Sequence, residues 1–301
     1  IARRLHETPH YASVYRARLI AAGVIEPTRR GYVDFAIPYL REYLREHAAR
    51  YEMVEQLFEG ALGIEEAMAR RDYLKLACTL SQLGVVLKDR GKLDRAIDCQ
   101  ERALDLLNGM HCRNPLQIAA ILGNLSTALR QKGKLAEAAD KLEHALVIFE
   151  NTPEASDVDL ARTLGNLGTI YQLQGELDRA VTCHERALVV LESALGLDDL
   201  QVAAVLGNLA NAFRLKGKLD IAMSCHERAL AISEIILGPD HPQVAKIFGN
   251  LGIVLRLRGE LDKAKARQER ALEIFELVHG PDHPDVARTL GDLANVFLEM
   301  G

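Results

Sequence analysis

Six glycines stand at a constant spacing of 42 residues along this 301-residue chain, at Gly91, Gly133, Gly175, Gly217, Gly259 and Gly301. A fixed period of this length is typical of a repeat architecture, in which each unit is too small to bury its own apolar face and buries it against its neighbours. The spacing therefore predicts a linear stack of similar units and not a globule around one core.

Each unit reads as a helical hairpin with one small-residue helix. A first helix carries a leucine in every copy, at Leu83, Leu125, Leu167, Leu209, Leu251 and Leu293. The periodic glycine follows and ends this helix, because glycine adopts the left-handed conformation at little cost. A second helix carries alanines at two repeated positions, Ala96, Ala138, Ala180, Ala222, Ala264 and Ala103, Ala145, Ala187, Ala229, Ala271.

The segments between units break one helix and start the next. Two of them read Gly-Pro-Asp-His-Pro, at 238–242 and 280–284. Proline suits the first turn of a helix, since its missing N–H would have no partner there. We expect His241 and His283 to cap helices and not to bind metal, because the earlier copies of this linker lack the histidine.

These residues resemble the tetratricopeptide repeat, and the 42-residue length and the linker resemble its kinesin light chain type. In the third copy the motif residues are Leu167, Gly168, Tyr171, Gly175, Ala180 and Ala187. The tyrosine is particular to that copy, since the others have Leu87, Leu129, Phe213, Leu255 and Phe297. The resemblance implies an all-α, right-handed superhelical solenoid of helical hairpins.

The repeats occupy residues 75–301 as five full units and the first helix of a sixth. We read the chain as an excerpt of a longer protein, with an exposed apolar edge at its last helix that could self-associate. Glu59, Ala61 and Leu62 match Glu101, Ala103 and Leu104 one period later, so a degenerate half-repeat at 51–74 is predicted to cap the stack.

One amide position recurs just before the repeated leucine of the first helix. Asparagine is a poor residue for a helix interior, so its recurrence needs a reason. By resemblance, first helices form the concave wall of the solenoid, and these side chains would clamp the backbone of a bound peptide. That they only bond the adjacent hairpin stays an alternative. The position holds Gln82, Asn124, Asn166, Asn208, Asn250 and Asp292, and Asn211 is added from the fourth copy.

Seven basic residues are predicted to share this wall, against three acidic ones, Asp89, Asp292 and Glu299. A basic channel in a chain of net charge −5 favours an acidic or carboxylate-terminated peptide as partner. A merely solvated face is the alternative. The seven are Lys88, Arg130, Arg162, Arg214, Lys246, Arg256 and Arg288.

Residues 1–50 do not repeat and carry nine arginines against five acidic residues. A helix around Tyr11–Ala22, followed by a short β-hairpin made of Val24-Ile25, a basic turn and residues 32–37, predicts part of a winged helix. The run 15–44 resembles the winged-helix module of bacterial AAA-like (STAND) signalling ATPases. Packing on an ATPase core is favoured over DNA contact, because basic residues are few for phosphate neutralisation. The DNA-contacting alternative uses Arg16, Arg18, Arg29 and Arg30.

The sequence favours a protein-interaction module over an enzyme. It has no phosphate-binding loop, nucleophile elbow or paired-cysteine ligand set, so no cofactor or metal is expected. Nucleic acid is disfavoured, because aromatic residues make up only 5% of the chain. No segment is apolar enough to span a membrane, and the unpaired cysteines favour the cytoplasm.

We therefore predict the sensor region of a signalling ATPase that binds a peptide or protein segment in its groove. The effector domain of a DNA-binding regulator is the alternative. A motor's cargo adaptor rests on the kinesin-like repeats alone, and the winged-helix segment argues against it.

Overall fold

The computed structural model describes residues 25–27, 33–35, 56, 59–60, 73–108 and 114–301. The chain divides into two compact units, Ile1–Leu57 and Phe58–Gly301. In the first unit, strands β1 (Ile25–Pro27) and β2 (Val33–Phe35) pair antiparallel, with Ile25 opposite Phe35. Two three-residue strands do not show a winged helix, which stays a prediction. The helix predicted around 11–22 and the arginines at 16, 18, 29 and 30 lie outside the described residues.

The second unit is built from helices alone in its described part. They are α1 (Tyr73–Asp89), α2 (Leu93–Asn108), α3 (Pro115–Gln131), α4 (Leu135–Glu150), α5 (Asp157–Gln174), α6 (Leu177–Leu195), α7 (Leu200–Leu215), α8 (Leu219–Leu237), α9 (Pro242–Leu257), α10 (Leu261–His279) and α11 (Pro284–Met300). Odd-numbered helices are the first helices of the repeats and even-numbered ones the second.

The periodic glycines end the first helices, as the sequence predicts. All six have positive φ, and Gly175, with φ 82° and ψ 4°, is the left-handed residue that closes α5. Its N–H donates to the carbonyl oxygens of Tyr171 and Gln172, which satisfies the end of the helix. The chain then turns at once into the second helix, which fixes the hairpin.

The repeated apolar positions form the core. Every repeated leucine of the first helices is buried, and all ten repeated alanines of the second helices are completely buried. Alanine contributes no bulk beyond Cβ, so the paired helices approach closely at these positions. The prediction of a small-residue second helix is confirmed.

The helices pack mainly within hairpins and then from each second helix to the first helix of the next repeat. Three of the five pairs of successive first helices approach one another more closely than any pair of successive second helices. This packing favours a stack that curves with the first helices on its inner side, and the groove wall itself stays a prediction.

The linkers act as helix caps. The Nδ1 atoms of His241 and His283 accept hydrogen bonds of 3.1 Å from the backbone N–H groups of Gln243 and Asp285. Pro242 and Pro284 occupy the first helical position. The predicted capping role of both histidines is confirmed.

Ion pairs between successive second helices extend to the segment before α1. Arg179 pairs with Glu143 at 2.8 Å, and two repeats earlier Arg95 pairs with Glu59 at 2.6 Å. Glu59 therefore makes the same contact with α2 that Glu143 of α4 makes with α6. This contact supports the degenerate half-repeat, whose bounds stay a prediction.

The last helix leaves apolar side chains in solvent. Leu290, Phe297, Leu298 and Met300 of α11 are exposed. Self-association through this face stays a prediction.

Candidate functional site: the inner wall of the first helices

The amide positions differ in their burial and in their hydrogen bonding. Asn124 is half-buried, and its Nδ2 donates to Ser81 Oγ on the preceding first helix at 3.2 Å. Asn166 and Asn208 are exposed and make no hydrogen bond with the described part of the chain. A packing role therefore fits Asn124 but leaves Asn166 and Asn208 without a structural reason. Each offers a free donor and a free acceptor to solvent.

A glycine precedes the amide in five copies, and no packing contact requires it. A Cβ atom built at Gly123, Gly165, Gly207 or Gly291 would meet nothing within 4 Å, and at Gly249 only the Gln268 Oε1 at 3.8 Å. Glycine inside a helix costs about 1 kcal/mol relative to alanine. The wall therefore keeps a strip of glycines with unfilled space above them beside the amides, at a cost in stability that the packing does not explain.

The residues one turn beyond the amides are small and polar in the middle repeats. Asn211 lies three residues after Asn208 on the same face and is half-buried. Thr127 and Thr169 hold the equivalent position, where their hydroxyls donate to the carbonyl oxygens of Gly123 and Gly165 at 3.0 Å. Asn211 is the member of this group with an amide to offer.

The seven basic residues occupy two different faces. Arg162, Lys246 and Arg288 are exposed and lie four residues before the amide, on nearly the same face. Lys88, Arg130, Arg214 and Arg256 lie six residues after it and are half-buried. At about 100° per residue, six residues turn the helix to about 120° from the amides. The second group therefore borders the amide face and does not share it.

Acidic neighbours neutralise four of the seven. Arg288 pairs with Asp285 at 2.8 Å and Lys88 with Asp89 at 3.0 Å, and Arg162 and Arg256 pair with Asp159 and Glu299. Within the described residues, the remaining three have no such partner: Arg130, Arg214 and Lys246. The wall is thus less positive than a count of its basic residues indicates.

Three exposed leucines lie on the amide face and escaped the sequence prediction. Leu173, Leu215 and Leu257 are 55%, 46% and 46% exposed and lie seven residues after their amides, two full turns on. The 42-residue register contained this signal, because the three share one repeat position. They form an apolar edge at the carboxyl-terminal ends of the first helices in three successive repeats.

The last copy of the repeated amide position holds a carboxylate, Asp292. Burial raises the pKa of Asp292, while Arg288 and Arg256 act in the opposite direction. The sixth copy therefore offers an acidic group where the earlier copies offer a neutral amide.

The buried polar residues belong to packing and not to catalysis. One position of the second helix holds Gln100, Leu142, His184, His226 and Gln268, and all five are buried. Burial lowers the pKa of His184 and His226 to about 4, and neither imidazole has a hydrogen-bond partner in the described structure. His184 lies over Gly168, where an added Cβ would come within 2.7 Å of the ring. Such histidines, closed off from solvent, are not available to a substrate.

Burial also affects three cysteine thiols. It raises the pKa of Cys99, Cys183 and Cys225, none of which forms a disulfide. A thiol with a raised pKa is a poor nucleophile. The described wall can bind by hydrogen bonds, charge and apolar contact.

These features define a class of protein: a helical-hairpin solenoid with an open inner wall and no assembled catalytic group among its described residues. The family model of the tetratricopeptide repeat matches residues 117–193, 201–276 and 244–301, and a second model of the same description matches residues 76–108. The chain belongs to the tetratricopeptide repeat family, and its repeats are similar to those of the kinesin light chain type. Residues 1–44 match a domain of unknown function (DUF8462).

Solved structures share the fold. The crystal structure of BtubC (BKLC) from P. vanneervenii is 27% identical, with a TM-score of 0.68 over 78% of this chain and 94% of that one. The crystal structure of a putative kinesin light chain from Podosopora anserina, with nearly identical TPR-like repeats, is 20% identical. Its TM-score is 0.58 over 67% of this chain and 95% of that one. No curated protein matches the chain.

None of the described helices has the length and apolar character needed to cross a membrane.

Proposed function

We propose that this protein binds a peptide or an extended protein segment along the inner wall of its first helices. The observation that carries the proposal is the pair Asn166 and Asn208, two exposed amides one repeat apart without a partner in the described structure. An extended backbone presents alternating N–H and C=O groups, and an asparagine can bond both. Tetratricopeptide repeats generally serve protein–protein interaction, which agrees with this assignment.

The bare glycine strip supports close approach of the partner's backbone. A methyl group at Gly165 or Gly207 would stand in open space beside the amides, where a bound segment would run. The proposal thus gives a reason for a helix-weakening residue that the packing leaves without one.

The partner's side chains are expected to be mixed in character. Arg130, Arg214 and Lys246 support an acidic group or a terminal carboxylate, and the exposed leucines on the amide face support apolar residues. A partner of alternating acidic and apolar residues would use both features of the wall.

The wider role that we propose is that of a sensor region in a signalling ATPase. It rests on the resemblance of residues 15–44 to the winged-helix module of such enzymes. A phosphate-binding loop encoded upstream of Ile1 would support it. The alternative, an effector domain of a DNA-binding regulator, requires salt-dependent duplex binding that weakens when Arg16 and Arg18 are neutralised.

The binding proposal is tested by replacing the two amides with leucine, N166L and N208L together. Immobilised protein captures partners from a lysate of the source organism, the bound segment is mapped by mass spectrometry, and its affinity is measured by calorimetry. A matched control replaces Thr182 and Ser224, two exposed residues at one position of the second helices in the same repeats. Loss of binding in N166L/N208L but not in T182L/S224L supports the wall, and equal binding by all three proteins refutes it.

A further inference from the structure

The junction between α10 and α11 brings together three side chains that can ligate a metal. His279 is the last residue of α10, His283 caps α11, and Asp285 lies in the first turn of α11. One nitrogen from each imidazole and one carboxylate oxygen all lie within 4.8 Å of one another. The imidazole rings are stacked, with centroids 4.2 Å apart.

The free carboxylate oxygen faces the imidazoles. Asp285 Oδ1 accepts a hydrogen bond from Arg288 Nη2 at 2.8 Å, while Oδ2 lies 3.6 Å from His283 Nδ1. His279 is exposed, and His283 and Asp285 are half-buried, so the cluster is open to an ion from solvent. The cap of α11 holds His283 and Asp285 in place, and the last turn of α10 holds His279.

The preceding linker provides an internal comparison. Its sequence is the same through Gly-Pro-Asp-His-Pro, and His241 caps α9 as His283 caps α11. The two flanking positions differ, with Leu237 in place of His279 and Gln243 in place of Asp285. Capping therefore explains the shared histidine but neither flanking residue, and of these two linkers the second gathers three ligand groups.

We propose that His279, His283 and Asp285 bind a divalent transition-metal ion of the Zn²⁺ class. Two imidazoles and one carboxylate suit zinc, which takes nitrogen and oxygen ligands in tetrahedral geometry and can keep water at its fourth position. The ion would join the end of the fifth repeat to the start of the sixth.

The site is not preformed to zinc dimensions. Tetrahedral ligand atoms about 2.0–2.1 Å from zinc lie about 3.4 Å apart, so binding must draw the more distant pairs together by up to about 1.4 Å. A metal on His283 Nδ1 also replaces the hydrogen bond from the Asp285 N–H. We therefore expect a micromolar dissociation constant and not the tighter binding of a structural zinc finger.

The loss-of-site experiment uses the full chain, stripped with a chelator and titrated with ZnCl₂ by calorimetry at neutral pH. The variant H279L/D285Q carries the residues of the preceding linker, which this fold already accommodates. We expect its affinity for Zn²⁺ to fall by about tenfold or more. The control H144Q removes an exposed histidine of α4 that lies outside the cluster and should leave the affinity unchanged.

The gain-of-site experiment converts the preceding linker to the same pattern with L237H/Q243D, which leaves His241 in place. We expect one additional equivalent of bound Zn²⁺, and Co²⁺ should give the visible absorption of a tetrahedral site. The proposal is overturned if H279L/D285Q binds Zn²⁺ as the wild type does, or if the wild type shows no saturable binding. A folded L237H/Q243D variant without the extra equivalent would also contradict it.

Discussion

Replacing the wall glycines by alanine should stabilise this protein while it damages the binding surface. The double variant G165A/G207A adds two methyl groups that meet nothing within 4 Å. Each removes a helix-interior glycine and should raise the free energy of unfolding by about 1 kcal/mol. The two sites lie in different first helices, so the effects should add to about 2 kcal/mol. In a stack of this size that corresponds to a midpoint of thermal unfolding about 4–8 °C higher.

The matched control is a glycine of the same helix class that packing does require. At Gly252 an added Cβ would lie 2.7 Å from Gln268 Nε2, and that nitrogen donates to the Gly249 carbonyl at 3.0 Å. G252A should therefore lower the stability by about 1–3 kcal/mol through overpacking. Urea and thermal unfolding followed by circular dichroism measure both variants. A destabilised G165A/G207A would show that the inner strip is filled by packing, and the reasoning about a bare wall would fail.

Two further predictions concern buried polar groups. Because burial holds the pKa of His184 and His226 at about 4, against about 6.5 in the unfolded chain, the unfolded state binds more protons below pH 6.5 and stability falls toward pH 4. The loss at pH 5 is at most about 2 kcal/mol per histidine relative to pH 8. The urea midpoint should fall with it. The variant H184L/H226L, which carries the residue found at Leu142 in the same repeat position, should show a weaker dependence of stability on pH. An equally steep dependence in that variant would assign the pH effect to other groups. Tyr171 donates to the Glu143 carboxylate beneath the Arg179 guanidinium, so Y171F should lower stability by about 1 kcal/mol, and an unchanged urea midpoint would contradict this.

The period made the backbone predictable. A 42-residue register identified the turn glycines, the buried leucines and the alanines of the second helices, because each of these depends on a constraint that every copy repeats. The caps at His241 and His283 followed from proline and its neighbours in the same way.

The charge distribution of the wall was only partly predictable from the sequence. Arg256 pairs with Glu299 of the next repeat, and this contact depends on side-chain packing between repeats. Arg288 and Asp285 lie three residues apart on one helix, so the spacing contained their pairing and the sequence prediction missed it. Arg130 and Arg214 were predicted to share the face of the amides, but six residues of helical rotation place them about 120° away from it. Leu215 was missed although it could have been predicted, since seven residues are two full helical turns and bring it onto the face of Asn208.

The most direct test of the account is the affinity of N166L/N208L for the mapped partner segment, measured beside its unfolding midpoint. Leucine has a higher helix propensity than asparagine, and neither amide has a partner in the described structure, so the stability should be equal to that of the wild type or slightly higher. The account predicts a loss of affinity of about tenfold or more with no loss of stability. Unchanged affinity would show that the inner wall is not the binding surface, and lost stability would show that the amides are packing residues after all.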